Sequence, residues 1–227
     1  MKLLRYYQKI PPVWRQVIEM IPCHPFRRQY ARELERTYNA GPPYRPSHRS
    51  IIIDITESCD LGCIDCSRSC ANYQAPSEAH MSLEQIKRFT EESRDQGRKW
   101  EIILVEGGEP TLHPDFLEIV TVLSDYVDRE SPRTILQVNT NGYSESSLRL
   151  IGRIPPGVIV YSSAKTGRAQ DGHLLFNLAP ADLRPASGFD FSQGCYLPAF
   201  YGIGLNRYGY YPHPNCGSID RVFGFYI

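Results

Sequence analysis

Short apolar runs alternate with amphipathic segments through the middle of the chain. Four runs are rich in β-branched residues and bounded by polar or turn-forming residues, which is typical of buried strands; they are residues 51–55, 101–105, 134–138 and 158–161. Segments with helical spacing separate them, beginning near Ser82, Pro114 and Ser144. Ser82 and Gln85 have the spacing of a capping box. The alternation predicts right-handed βαβ units, a mostly parallel sheet and therefore an α/β fold.

The two ends of the chain have different patterns. Residues 1–48 contain two amphipathic stretches, around residues 14–21 and 26–38, before the turn-forming Gly41-Pro42-Pro43. After Lys165 the alternation fades, and residues 196–226 hold nine Phe/Tyr among glycines and prolines. We therefore expect an N-terminal helical extension (1–48), a core (49–165) and an irregular or β-rich C-terminal extension (166–227).

Composition and charge narrow the class of protein. The chain is 41% hydrophobic and 22% charged, which is ordinary for a globular protein. It has neither a long apolar run that would span a membrane nor the apolar core of a secretory signal, so we predict a cytoplasmic protein without a membrane span. The net charge of zero divides into +6 for residues 1–48 and −6 for the rest. Such asymmetry is more often a solvated helix face than a binding arm, and no nucleic-acid motif is visible.

The cysteines are the strongest chemical signal. Seven cysteines in a chain predicted to be cytoplasmic favour metal binding over disulfides. Cys59, Cys63 and Cys66 lie in one loop directly after the first predicted strand. Thiolate is a soft ligand that zinc and iron–sulfur clusters both select. The spacing alone leaves open a three-cysteine cluster site or a closed zinc site completed by Cys70.

Two further motifs follow predicted strands. Gly107-Gly108-Glu109-Pro110 comes after the second strand and Asn139-Thr140-Asn141-Gly142 after the third. With the CxxxCxxC spacing, and in this order, they resemble the motifs of the radical S-adenosylmethionine (SAM) superfamily. That resemblance implies a partial, TIM-like (β/α) barrel. Four predicted strands are fewer than the six of that barrel, so we expect a shortened one.

The resemblance also implies a chemistry and a set of binding residues. A 4Fe-4S cluster held by Cys59, Cys63 and Cys66 would cleave SAM reductively to a 5′-deoxyadenosyl radical, which abstracts hydrogen from an unidentified small molecule or peptide. An electron donor such as a flavodoxin or ferredoxin is implied as well. Glu109 would lie beside the methionine ammonium. The implied SAM-binding residues are Gly107, Gly108, Glu109, Asn139, Asn141 and Ser162.

Two features weaken or extend the resemblance. Asp65 stands before the third cysteine, where the family usually has an aromatic residue near the adenine. The C-terminal part resembles the start of a SPASM or twitch extension, which implies an auxiliary cluster site at Cys195, His213 and Cys216. The alternative is that these cysteines are buried as small hydrophobic residues. A second function also stays open, namely a non-catalytic iron–sulfur or zinc-binding protein derived from a shortened fold.

Overall fold

One six-stranded sheet organises the part of the chain that the computed structural model describes, which is residues 32, 35–37, 39–63, 66–72, 79–163, 165, 167, 194 and 196–224. The strands lie in the order β4-β3-β2-β1-β5-β6. Neighbouring strands are parallel, except that β5 and β6 form an antiparallel hairpin. The strands are β1 (Ser50–Thr56), β2 (Ile102–Gly107), β3 (Ile135–Thr140), β4 (Ile159–Ser162), β5 (Ile203–Asn206) and β6 (Gly209–Tyr211).

Three helices connect the first four strands and confirm the predicted alternation. They are α1 (Leu83–Asp95), α2 (Phe116–Glu130) and α3 (Glu145–Ile151). The predicted capping box is present at α1, where the Ser82 side chain accepts from the Gln85 backbone and Gln85 reciprocates. Ser144 caps α3 in the same way by accepting from the Ser147 N–H.

The apolar face of the sheet packs against α1 and α2. Alternate β1 residues Ile51, Ile53 and Ile55 are fully buried there, together with Phe89 of α1 and Phe116 of α2. Burying a side chain of this size contributes about 1.5–3 kcal/mol. This cluster fixes which residues of each strand face the opposite side.

The opposite face of the sheet changes from apolar to polar along the strands. Near the amino ends it carries a small cluster that includes Ile52 and Leu104. Two positions further along, the same face carries Asp54 on β1 and Glu106 on β2, and Asn139 follows on β3. Polar side chains therefore collect near the carboxyl ends of the strands, where α/β proteins bind ligands.

The C-terminal part joins the same sheet beside β1, not beyond β4. Strand β5 pairs in parallel with β1, with Ile203 opposite Ile51. The expected irregular or β-rich segment thus contains the β5–β6 hairpin together with two helices, α4 (Tyr196–Tyr201) and α5 (Pro214–Phe223). A Cβ atom on Gly204 would lie 2.7 Å from the Pro214 nitrogen, so a glycine lets α5 approach the sheet.

The structure describes only part of the predicted N-terminal helical extension. Residues 32, 35–37, 39 and 40 are helical, which agrees with the second predicted stretch. The first predicted stretch, around residues 14–21, lies outside the described residues. Arg36 forms an ion pair with Glu101, in which Nη1 lies 2.9 Å from both carboxylate oxygens, and so attaches this segment just before β2.

Candidate functional site

The cysteine loop begins where β1 ends. Cys63 is buried, whereas Cys59, Cys66 and Cys70 are partly exposed. The Cys70 sulfur lies 3.9 Å from the carbonyl oxygens of Glu57 and Arg68, and its single S–H is close enough to be shared with the sulfur of Cys59 or of Cys66. This proximity lowers the pKa of Cys59, brings the pKa of Cys66 to about 5 and raises the pKa of Cys70. A pKa of about 5 means that Cys66 is a thiolate, the form that binds metals, at neutral pH.

A left-handed turn brings Cys70 back to its neighbours. Ser69 has φ 53°, a region that few residues other than glycine adopt. Its N–H donates to the Cys66 carbonyl at 2.8 Å, which closes the turn. The loop therefore folds back on itself between Cys66 and Cys70.

The donor chemistry of this loop fits an iron–sulfur cluster. Three thiols at CxxxCxxC spacing share one loop, and two of them have lowered pKa values. Among the residues that the structure describes, no three His, Cys, Asp or Glu side chains form a ready site for a single metal ion.

The glycine pair after β2 packs against the start of the cysteine loop. Gly107 has φ 144°, and a Cβ atom there would lie 2.3 Å from the Thr56 carbonyl oxygen. A Cβ on Gly108 would lie 2.1 Å from the Ser58 carbonyl oxygen. Backbone hydrogen bonds from Gly108 N to Thr56 O (2.8 Å) and from Glu109 N to Ser58 O (2.7 Å) close this contact. Glycine is required here because two backbone segments touch.

We expect Gly108→Ala to destabilise the protein by about 1–3 kcal/mol, since the new methyl group meets backbone that cannot rotate away. Gly152→Ala is the matched control, because a Cβ there lies 3.5 Å from its nearest neighbour, the Arg149 carbonyl oxygen. Thermal unfolding of the metal-free protein measures both variants. Equal melting temperatures for Gly108→Ala and Gly152→Ala would contradict the packing described.

The carboxylate of Glu109 points into the protein and not toward an open cavity. The residue is 0% exposed. Its Oε1 accepts from the Thr111 N–H (3.2 Å), the Thr111 hydroxyl (2.7 Å) and the Thr140 hydroxyl (2.8 Å). Its Oε2 accepts from the Asn141 N–H at 2.7 Å. Oε2 accepts this one bond, and a carboxylate oxygen can accept more than one, so the role of Glu109 beside a SAM ammonium stays a prediction.

The asparagines after β3 have different surroundings. Asn139 lies on the polar face of the sheet, where its amide donates to Glu106. The Asn141 amide instead donates to Asp60 Oδ1 at 2.7 Å, and its Oδ1 accepts from the Tyr143 N–H at 2.8 Å. Asn141 thus links the loop after β3 to Asp60 in the cysteine loop.

Ser162 and Ser163, at the end of β4, lie beside the end of β3. Ser162 is the last residue of β4 and is partly exposed. The N–H of Ser163 donates to the Thr140 carbonyl at 3.0 Å, and its hydroxyl lies 3.3 Å from the same oxygen.

A buried arginine joins three elements around this polar face. The Arg68 side chain, 9% exposed, lies between Asp54 (Nε–Oδ2 2.8 Å) and Glu106 (Nη2–Oε2 2.7 Å). It also donates to Asn215 Oδ1 of α5 at 3.0 Å, and Arg221 donates to its carbonyl. Burial opposes its charge, but the two carboxylates outweigh burial and raise the pKa of Arg68. Burial likewise raises the pKa of Glu106.

The sequence analysis did not predict this network. The available signal was a charged residue inside an apolar run, since Asp54 interrupts four isoleucines of β1. An unpaired carboxylate at such a position is costly, so a basic partner was to be expected. Nothing local identified Arg68 as that partner.

The C-terminal candidate residues do not share one environment. His213 is buried at the start of α5, where Nδ1 accepts from the Asn215 N–H and burial lowers the pKa of His213 to about 4. Cys216 is exposed. Cys195 lies outside the described residues, so the auxiliary site stays a prediction.

The sequence model of the Radical SAM superfamily matches residues 53–168, which is just over half of the chain. The chain belongs to the radical SAM superfamily. The match spans β1 to β4 and the loops that follow each of these strands. The cofactors of this family are a 4Fe-4S cluster and SAM, and the CxxxCxxC, GGEP and NTNG motifs all fall within the matched residues.

Two curated radical SAM proteins resemble part of the chain. The probable GTP 3′,8-cyclase of Pyrococcus horikoshii is 34% identical over 90 residues, covering 40% of this chain and 26% of that protein. The GTP 3′,8-cyclase of Haemophilus ducreyi is 36% identical over 93 residues, covering 40% and 25%. The chain therefore spans about a quarter of the length of the curated relatives it matches.

Two solved structures are also similar, though not closely. One is BtrN in complex with AdoMet and 2-DOIA, with a TM-score of 0.48, 16% identity and 75% of each chain covered. The other is Streptococcus suis SuiB bound to S-adenosylmethionine, with a TM-score of 0.36, 17% identity, and 57% of this chain and 27% of that chain covered. No helix within the described residues is both long and apolar enough to cross a membrane.

Proposed function

We propose that this chain is a radical SAM enzyme in which Cys59, Cys63 and Cys66 hold the 4Fe-4S cluster. When bound, the cluster supplies the electron that cleaves SAM to methionine and a 5′-deoxyadenosyl radical, which takes a hydrogen atom from the substrate and becomes 5′-deoxyadenosine. The observation that carries the proposal is the family match together with the cysteine loop at the carboxyl end of β1.

The surrounding residues support binding and orientation. Asn139 lies on the polar sheet face, and Ser162 ends the neighbouring strand β4. We propose that both face bound SAM, and that Gly107 and Gly108 bring the second loop close to the cysteines. Glu109 and Asn141 remain proposed SAM-binding residues, and their hydrogen bonds also hold the loops together. We propose that the network of Asp54, Arg68 and Glu106 supports this polar face from within the protein.

Substrate, partners and location are further parts of the proposal. The substrate is a small molecule or peptide that we do not identify, because the named relatives share only a quarter of their length with the chain. A flavodoxin or ferredoxin supplies the electron. A cytoplasmic location suits thiols that must stay reduced. We propose no nucleic-acid partner, and we keep 1–48, 49–165 and 166–227 as the three parts of the chain.

The test uses protein that is purified and reconstituted without oxygen. Dithionite and SAM are added, and 5′-deoxyadenosine is measured by chromatography with mass detection. We expect product from the wild type and none from a variant in which Cys59, Cys63 and Cys66 are alanine. Lys87→Met, a substitution at an exposed position on α1, controls for the effect of mutation as such.

Three outcomes separate the proposal from its alternative. A brown protein with cysteine-dependent product supports the enzyme. A colourless zinc-bound protein, or a brown one that forms no 5′-deoxyadenosine, supports the non-catalytic metal-binding protein. The position of Cys70 close to Cys59 and Cys66 gives that alternative its structural basis, because it brings a further thiol to the loop.

A further inference from the structure

The ammonium of Lys165 contacts a sulfur of the cysteine loop. Lys165 Nζ lies 3.1 Å from Cys63 Sγ, although the two residues are 102 positions apart. Cys63 is 4% exposed, so this contact is largely shielded from water. A charge next to a sulfur acts more strongly in such surroundings than in water.

The backbone delivers Lys165 to this position. Beyond the end of β4, the Ser163 N–H donates to the Thr140 carbonyl at 3.0 Å and the Lys165 N–H donates to the Asn141 carbonyl at 2.9 Å. These bonds continue the β3–β4 pairing past the strands. The Asn141 amide in turn donates to Asp60 at 2.7 Å. The loop after β4 is therefore bonded to the loop after β3, and the loop after β3 is bonded to the cysteine loop.

The other charges near the cysteines do not duplicate this contact. Arg68 lies near Cys66, but its guanidinium is held by Asp54 and Glu106. Asp60, next to Cys59 in the chain, accepts a hydrogen bond from Asn141 and supplies no cation to the cysteines. Within the described residues, Lys165 is a cation that donates a hydrogen bond directly to a cysteine sulfur.

We propose that Lys165 is a positioning residue for the cluster: its ammonium donates a charge-assisted hydrogen bond to the Cys63 sulfur and raises the reduction potential of the cluster. This rests on the proposed assignment of Cys63 as an iron ligand. Reduction adds one electron to a cluster that thiolates already make negative. A nearby cation stabilises the reduced state more than the oxidised state, and hydrogen bonds to sulfur act in the same direction.

Potentiometry separates this role from a purely structural one. The cluster is reconstituted in the wild type, Lys165→Met, Lys165→Gln and Lys165→Arg, and one-electron reduction is followed by electron paramagnetic resonance at set potentials, without SAM. Lys165→Met removes charge and donor, Lys165→Gln keeps a donor, and Lys165→Arg keeps both. Lys87→Met, at an exposed position on α1, is the matched control.

We expect the potential to shift to more negative values in Lys165→Met, by less in Lys165→Gln, and little in Lys165→Arg or Lys87→Met. Iron content measured beside each titration shows that the clusters compared are complete. If Lys165→Met loses iron, the Lys165→Gln and Lys165→Arg pair still decides, because these variants differ in charge.

Two results would overturn the inference in distinguishable ways. Complete clusters with one potential in all variants would show that Lys165 does not act on the cluster, while the assignment of Cys63 would survive. A wild type that takes up no iron, or that keeps its full iron content after Cys63→Ala, would remove the ligand assignment and the role of Lys165 together.

Discussion

We expect Glu109→Ala to lower the free energy of unfolding by about 4 kcal/mol. The substitution leaves the buried backbone N–H groups of Thr111 and Asn141 without their acceptor, which costs about 1–3 kcal/mol each, and it adds a small cavity. For a chain of this length, the melting temperature would fall by roughly 10 °C. The loss is expected in protein without iron or SAM, because the contacts of Glu109 lie within the protein. Thermal unfolding followed by circular dichroism measures it.

Glu118→Ala is the matched control, because that glutamate is exposed in the first turn of α2 and should cost only tenths of a kcal/mol. Glu109→Gln adds a second comparison: its amide would place a donor against the Asn141 N–H, so destabilisation should persist without the cavity. If Glu109→Gln unfolded like the wild type and only weakened SAM binding, the carboxylate would be a SAM ligand after all.

Arg68→Met should destabilise the protein by about 3–5 kcal/mol, because it leaves the Asp54 and Glu106 carboxylates buried without their cation. Burial already raises the pKa of Glu106 and Arg68 opposes that rise, so the variant should raise it further. A carboxyl with a raised folded-state pKa gains stability as the pH falls through that pKa. The difference in free energy of unfolding between the wild type and Arg68→Met should therefore become smaller at acid pH.

Urea unfolding at neutral and acid pH measures this effect. Arg88→Met is the control, since that side chain is 77% exposed and its ion pair with Glu92 lies on the helix surface. Loss of the Asn215 contact should also loosen α5, which proteolysis of the C-terminal part would reveal. A loss of unfolding free energy that is small and independent of pH would show that the buried carboxylates of Asp54 and Glu106 do not need Arg68 for their stability.

Local signals predicted much of the fold, and non-local contacts account for what was missed. Strands β1 to β4 and the start of α1 at Ser82 follow from apolar runs and a capping box, which depend on neighbouring residues alone. Strands β5 and β6 are short and glycine-rich, and their place beside β1 depends on partners far along the chain. The residues of α5 gave only a weak helical signal, with Gly217 and Ser218 in its interior.

The candidate site divides in the same way. The cysteine spacing and the positions of the motifs could be read from the sequence, because each follows a strand. The orientation of Glu109 could not, since it depends on where Thr140 and Asn141 lie after folding. The contact between Lys165 and Cys63 is of the same kind, because it joins the loops of two different strands.

The position of β5 beside β1 has a consequence for folding. The β1–β4 units form from contacts between segments close in sequence, whereas the pairing of Ile51 with Ile203 joins residues roughly 150 positions apart. During synthesis, one edge of β1 stays unpaired until the hairpin has been made, and an open apolar strand edge can pair with other chains. Docking of the hairpin and α5 therefore comes late, and the same step brings Asn215 to Arg68 beside the cysteine loop.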